Sequence, residues 1–237
     1  MHSVSGGFFI TGTGTDVGKT VVTAALARFL KQSGQNVLPV KPVQSGGIRN
    51  AQGKLDSPDG EVYAAAGAEW NPEIQCPYIF EPPCSPHLAA KLDGVELEVE
   101  AVAEKVRVLE SEGLLLVEGA GGIMVPLNGD ATMLDLMREL DYPVILVSEN
   151  KLGTINETLL SVMALLDAGL EISGIIMTAP GGPEPAEFGM AEDNIRSIEH
   201  FSGIRVLASI PHISGWDYKD ENCWAELDKS LAGLELD

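Results

Sequence analysis

Short, unbroken apolar runs alternate along this chain with longer amphipathic stretches. Phe8-Phe9-Ile10, Val37-Leu38-Pro39-Val40, Leu114-Leu115-Leu116-Val117, residues 143–148, 172–177 and 206–210 read as strands. Runs that are apolar at consecutive positions belong in parallel sheets covered on both faces. Between them the spacing turns helical. Val21, Val22, Ala25, Leu26 and Phe29 share one side of a segment that Gly34 closes. Further helices are predicted over 60–68, 96–112, 132–140, from the 149–156 segment to 166, 191–201 and 221–232. Strand and helix alternate throughout, which predicts an α/β fold with three layers around a doubly wound, mostly parallel sheet. Residues 70–87 carry Pro72, Pro77, Pro82, Pro83 and Pro86, and read as a connection of fixed turns rather than a strand. No Pro- or Ser-rich linker and no repeat divides the chain, so one domain is expected over residues 1–237.

Charge narrows the partners. With 15 basic and 35 acidic residues the formal charge is −20, which argues against nucleic acid and anionic membranes, both of which select lysine and arginine clusters. Any anionic ligand must bind where positive charge is locally concentrated, and Lys19, Lys41 and Lys151 are the candidates. Cys76, Cys84 and Cys223 lack CxxC spacing and suit free thiols in a reducing compartment. No basic segment leads into an apolar run at the N-terminus, and no apolar run nears the roughly 20 residues of a membrane span. A cytoplasmic location is expected.

The candidate chemistry begins at Gly12-Thr13-Gly14-Thr15-Asp16-Val17-Gly18-Lys19-Thr20-Val21, between the first strand and the first helix. A glycine-rich turn into a helix N-terminus surrounds an anion with backbone N–H groups and the positive end of the helix dipole. This is the context of a phosphate-binding loop. Lys19 would reach the outer phosphates and the Thr20 hydroxyl would hold magnesium. The usual G-x-x-x-x-G-K-[ST] spacing is not met, for Gly12 stands too far from Gly18 and Gly14 too near. Lys41 follows the second strand, at the carboxyl end where ligands of open parallel sheets sit. Glu118 ends the apolar strand at 114–117, the expected place of a carboxylate on the magnesium side, and Gly119 to Gly122 after it permit close backbone approach. Asp59 reads either as a helix N-cap or as a carboxylate aimed at a metal. His87 reads as a base, a structural histidine or part of a substrate wall. Lys151 to Asn156 forms a second loop-to-helix junction with exposed N–H groups, a candidate anion site.

Four segments together resemble the dethiobiotin synthetases: Thr-Gly-Thr-Gly-Thr-Asp-Val-Gly-Lys-Thr at 11–20, Lys-Pro-Val-Gln-Ser-Gly at 41–46, Val-Glu-Gly-Ala-Gly-Gly at 117–122 and Lys-Leu-Gly-Thr-Ile-Asn at 151–156. Pro-Cys-Ser-Pro-His at 83–87 and Ser-Ile-Pro at 209–211 are also similar, so the resemblance spans roughly residues 6–213 in matching order. It implies a P-loop NTPase-like fold and a reaction that uses ATP and CO2 to close a cyclic urea on 7,8-diaminononanoate. It implies Mg²⁺ on Thr20, Asp59 and Glu118, and Lys19 and Lys41 between the carbamate and the triphosphate. Gly14 to Val21, Thr178 and Pro211 would line the nucleotide. Thr15 and Asp16 would lie near phosphates and substrate amines, and Ser45 would contact the carbamate. Gly119 and Gly122 would border the substrate. Backbone groups of Leu152, Gly153, Thr154, Ile155 and Asn156 would bind its carboxylate from the neighbouring subunit of a homodimer.

Two departures from the family pattern stand out. The family commonly carries Asn-Asp after the strand at 172–177, its Asn reading the adenine edge, where this chain has Thr178-Ala179. One hydroxyl cannot make the paired donor and acceptor contacts of an amide, which implies relaxed base selectivity. Asp56 and Asp59 also compete for the metal position, with Asp59 fitting the family spacing better. The alternative reading is a ParA/MinD-like ATPase switch. Those loops carry an early lysine where this chain has Thr13, and they present basic or amphipathic surfaces that are absent here.

Overall fold

Six parallel strands form the central sheet of the computed structural model, which describes residues 6–183 and 187–236. In chain order the elements are β1 (Gly7–Gly12), α1 (Lys19–Gln32), β2 (Val37–Val40), β3 (Val43–Ser45), β4 (Ile48–Arg49), β5 (Leu55–Asp56), α2 (Pro58–Ala65), α3 (Pro72–Gln75), β6 (Tyr78–Phe80), α4 (Pro86–Leu92) and α5 (Val99–Arg107). Then follow β7 (Leu114–Glu118), α6 (Met133–Leu140), β8 (Val144–Glu149), α7 (Thr154–Asp167), β9 (Ile172–Thr178), a 3-10 turn (Glu187–Gly189), α8 (Met190–Ser202), β10 (Val206–Ile210) and α9 (Glu221–Ser230). The sheet runs β10-β9-β8-β1-β7-β2. β1 therefore lies inside the sheet, with β7 inserted between it and β2.

Side-chain alternation along each strand divides the core into two layers. Phe9, Val40, Leu115, Val117, Val144, Leu146 and Met177 pack under α4 to α8. Phe8, Ile10, Val37, Leu116, Ile145, Val147 and Ile210 pack under α1, α2 and α9. Nearly all of these side chains are fully buried, which is why the strands read as continuous apolar runs. Trp224 of α9 is buried against α1, meets Trp216 edge-on at 5.4 Å between ring centroids, and donates its indole N–H to the Tyr218 carbonyl. All three cysteines are free.

The proline-rich stretch departs from expectation. Tyr78–Phe80 forms a strand that pairs in parallel with Val43–Ser45 in a separate small sheet, and Pro86 opens α4. Three-residue strands leave too short a pattern for alternation to register. The helix expected from Gly60 starts at Pro58, because Ser57 is its N-cap and accepts from the Gly60 N–H at 3.1 Å. The helix expected over 96–112 is shorter, and residues 108–112 leave it as turns. The expectation about the leading segment falls partly on residues 1–5, outside the described residues.

Candidate active site

Strand register brings the charged groups together. β1 aligns Ile10 with Glu118, and β2 aligns Val40 with Val117. The side chain after β2, Lys41, consequently stands beside the one that ends β7, Glu118. The Lys41 ammonium lies 2.6 Å from Glu118 Oε1, 2.6 Å from Asp59 Oδ2 and 3.2 Å from the Gly119 carbonyl. The Lys41 N–H, on the backbone, donates to the Gln75 carbonyl at the end of α3, while Gln75 Nε2 donates to Pro39, so α3 ties down this strand exit.

With Ser57 as the cap, Asp59 is released from that duty and turns to Lys41. Asp56 instead accepts from Asn50 Nδ2 at 3.1 Å. Of the two competing aspartates, the structure brings Asp59 to the cluster. Ser57 also donates to Gln44 Oε1, which anchors the start of α2 to the strand that carries Ser45.

The loop before α1 supplies the second lysine. Gly18 sits at the N-cap of α1 with φ 91°, a left-handed conformation that glycine takes without Cβ strain, and it offers no side chain to cap the exposed N–H groups. Asp16, at φ 60°, is also left-handed. Lys19 folds back to the Gly14 carbonyl at 2.7 Å. Thr20 donates to Glu118 Oε1 at 2.9 Å.

Burial pulls the Lys19 ammonium down to about 8; the Glu118 carboxylate opposes that fall and the Lys41 charge adds to it. Lys41 is also buried, which alone would lower it, but Glu118 and Asp59 outweigh burial and hold it well above the usual lysine range. Both carboxylates thus favour its charged form.

A cavity of about 700 Å³ opens over this cluster. Thr15, Asp16, Gly18, Lys19, Thr20, Val21, Lys41, Ser45, Asp59 and Glu118 all line it. Cys84, Ser85 and Pro86 form a facing wall. Ala120 and Gly121 line it rather than the expected Gly119 and Gly122; Gly119 turns toward Phe9, and Gly122 packs on Gly12 and Gly14. Val17 is buried beneath the loop. His87 is absent from the lining and sits in the first turn of α4 with its Nδ1 buried and unpartnered.

A smaller cavity of about 220 Å³ adjoins the loop, lined by Gly18, Val21, Thr178, Ala179, Pro180, Pro211, His212 and Trp216. Its size and apolar walls suit a planar base. The Thr178 hydroxyl does not face it as a reader, for it donates to the Val17 carbonyl at 2.7 Å and fixes the phosphate-binding loop. The segment 152–156 lines neither of these two cavities. Leu152 is 83% exposed, and the Thr154 hydroxyl is spent on Ser148 at 3.0 Å. Lys151 pairs with Glu149 at 3.0 Å rather than joining the cluster.

Asp59 Oδ2 and Glu118 Oε1 meet at the Lys41 ammonium, and the Thr20 hydroxyl donates to the same Glu118 oxygen; these oxygens are hard donors of the kind that suits Mg²⁺. No group of three or more His, Cys, Asp or Glu side chains with metal-binding geometry occurs among the described residues. Two carboxylates and a hydroxyl match the habit of Mg²⁺, which leaves its remaining positions to phosphates and water.

Known proteins resolve which P-loop lineage this is. A family model described as an AAA domain matches residues 6–218. The ATP-dependent dethiobiotin synthetase BioD of Anoxybacillus flavithermus is 41% identical over 90% of this chain and 95% of its own length. The chain belongs to the dethiobiotin synthetase family. The proteins of the same name from Halalkalibacterium halodurans (41%, covering 86% of this chain and 84% of that one) and Bacillus cereus (36%, 91% and 87%) agree. Among solved structures, the cell division ATPase MinD of Pyrococcus furiosus superposes with a TM-score of 0.54 at 20% identity, covering 97% of this chain and all of that one. The MinC:MinD complex of Aquifex aeolicus gives 0.59 at 12%, covering 98% of each. Those likenesses show the α/β P-loop fold alone. Within the family frame, Tyr63 is the residue that sequence reasoning missed. It is fully buried in α2, and its hydroxyl donates to Glu118 Oε2 at 2.5 Å.

Proposed function

We propose that this family member catalyses ATP-dependent ring closure of 7,8-diaminononanoate with CO2 to dethiobiotin, in biotin biosynthesis. The observation that carries the reading is the buried Lys41 ammonium, fixed by strand register at the rim of a phosphate-binding loop that holds a second lysine. One substrate amine adds to CO2, loses a proton and becomes a carbamate. A carbamate oxygen attacks the γ-phosphorus and ADP leaves, which forms a carbamic-phosphoric anhydride. The second amine attacks the carbonyl, the C–O bond to phosphate breaks, and the cyclic urea and phosphate separate. Carbamate and triphosphate are both anions, so their approach requires cations between them. Lys41 and Lys19 supply fixed positive charge on either side of the transferring group. Ser45 and Thr15 border the carbamate, and the N–H groups of residues 14–20 hold the phosphates. Thr20, Asp59 and Glu118 would hold magnesium, which when bound would supply charge neutralisation for the phosphates.

The segment 152–156 acts from a partner subunit in this reading. Its exposure supports that role, as does the exposed apolar series of Leu152, Leu160, Met163 and Leu166, which gives a homodimer a surface to bury. No helix of the described residues is long and apolar enough to cross a membrane. Base selectivity is expected to be relaxed, since Thr178 is engaged with the loop; a strong preference for ATP over CTP and GTP at matched sub-saturating concentrations would refute this. The overall reading is tested by phosphate release from ATP and Mg²⁺ with and without the diamine and bicarbonate. Diamine-dependent release, with a cyclic urea detected by mass, is expected. Slow release indifferent to the diamine would overturn it in favour of a nucleotide switch.

A further inference from the structure

Glu118 is almost wholly buried and carries more contacts than any role as a simple ion-pair partner requires. Its two oxygens are used differently. Oε1 meets Thr20 and Lys41, the groups that border the reaction cavity. Oε2 accepts instead from the buried Tyr63 hydroxyl. Tyr63 is itself held from behind. Its ring meets Trp70 edge-on at 5.2 Å, and Trp70 fills the space above Gly60, where any Cβ would lie 2.1 Å from the indole. Gly60 is in turn fixed by the Ser57 cap at the start of α2, one residue beyond Asp59. The two carboxylates that face Lys41 are thus set by one piece of structure: Asp59 through its place on α2, and Glu118 through the phenol from the same helix.

We propose that Tyr63 is a positioning residue for the metal-side carboxylate. Resting on the reading above, it occupies Oε2 so that Glu118 presents Oε1 alone to the cation and to Thr20. Tyr63 touches no reacting atom; it acts through Glu118. Outer partners of metal-binding side chains typically change metal affinity or activity by 10- to 100-fold when removed.

The test compares wild type with Tyr63→Phe, which keeps the ring and its contact with Trp70. Mn²⁺ affinity is measured by electron paramagnetic resonance in the presence of a non-hydrolysable ATP analogue, without diamine. Steady-state rates are measured in parallel against Mg²⁺ and diamine concentration. The expected result is an Mn²⁺ dissociation constant raised about 10-fold, a rate that excess Mg²⁺ restores, and a diamine KM within about twofold of wild type. In a Glu118→Gln background the same substitution should change Mn²⁺ affinity by less than about twofold, since its route is gone. Unchanged Mn²⁺ affinity in a folded Tyr63→Phe protein would overturn the proposal, as would an equal loss in the Glu118→Gln background. If Tyr63→Phe does not fold, Trp70→Phe loosens the ring but spares the hydroxyl; a smaller loss of Mn²⁺ affinity supports the proposal, and none overturns it. The Mn²⁺ measurement needs no turnover, so a wild type that forms no cyclic urea would refute the proposed reaction and leave the Tyr63 result standing.

Discussion

Two strand-to-helix junctions in this molecule share a local design and differ in nearly everything else. Gly18 precedes α1 with φ 91°, and Gly153 precedes α7 with φ 95°. Each is a left-handed glycine at an N-cap, after a buried parallel strand, with a lysine next to it or two residues before. The first lies where β2, β7 and α2 converge, and its lysine joins a buried cluster of two ammonium groups and two carboxylates. The second opens on solvent, and Lys151 there makes an ordinary half-exposed pair with Glu149. A helix N-terminus offers N–H groups in both cases. What sets the proposed reaction site apart is the neighbouring strand ends, which desolvate the charges and fix their spacing.

The largest effect that separates the two is expected at Lys41. Lys41→Ala leaves Asp59 and Glu118 facing each other without their shared cation, which should cost about 3–5 kcal/mol in urea denaturation because a buried charge loses its partner. The rate should fall by about 10²–10³-fold. Lys151→Ala should change stability by less than about 1 kcal/mol, since its pair is exposed. Equal stability losses would erase the distinction between the junctions.

Subunit mixing sharpens it. Lys41→Ala and Leu152→Asp damage opposite junctions, and the second places a negative charge on an exposed site proposed to face a substrate carboxylate. If one chain's cluster works with the partner's 152–156 segment, mixing the two weakly active variants should restore roughly a quarter of wild-type diamine-dependent turnover, from mixed dimers with one intact site. No restoration would mean that the second junction serves its own chain or nothing.

A smaller effect is expected from the glycines. Gly153→Ala meets open space and should cost about 1–2 kcal/mol of left-handed backbone strain, read by thermal melting, with nucleotide affinity unchanged. Gly18→Ala makes only an ordinary contact with Thr178 at 3.4 Å but places the same strain within the phosphate-binding loop, so nucleotide affinity should fall as well. Smallest of all is a remote control, the capping box of α6. Hydrogen bonds from Thr132 hold the Asp135 carboxyl below its usual range. Its contribution is therefore present at neutral pH and fades as pH falls through that lowered value. Asp135→Asn should cost about 1 kcal/mol at pH 7 and less in acid, with no change in turnover.

Much of the architecture was legible because the central strands are buried on both faces. Leu114–Val117 can be nothing but apolar, and Glu118 stands out for breaking that run. Lys19 and Thr20 were legible from a local motif, and Lys41 from its place at a strand end. The small sheet of β3 and β6 was not, because three residues show no alternation and prolines surround them. Ser57-Pro58 carried a usable signal, a cap residue followed by proline at the first helical position, and it would have freed Asp59 from the capping role. Tyr63 carried none. A tyrosine among apolar residues in a helix reads as core, and its purpose emerges only when register places Glu118 against its hydroxyl.

The central claim is that this cluster drives a carbamate oxygen onto the γ-phosphorus, and one isotope measurement addresses that step. Turnover is run with ¹⁸O-labelled bicarbonate in water of natural abundance, briefly enough to limit exchange, and the released phosphate is analysed by mass. The account predicts one ¹⁸O in the phosphate, because the attacking carbamate oxygen departs with phosphorus when the second amine closes the ring. Unlabelled phosphate, released at the same rate with or without diamine, would mean that water is the nucleophile and would contradict the account.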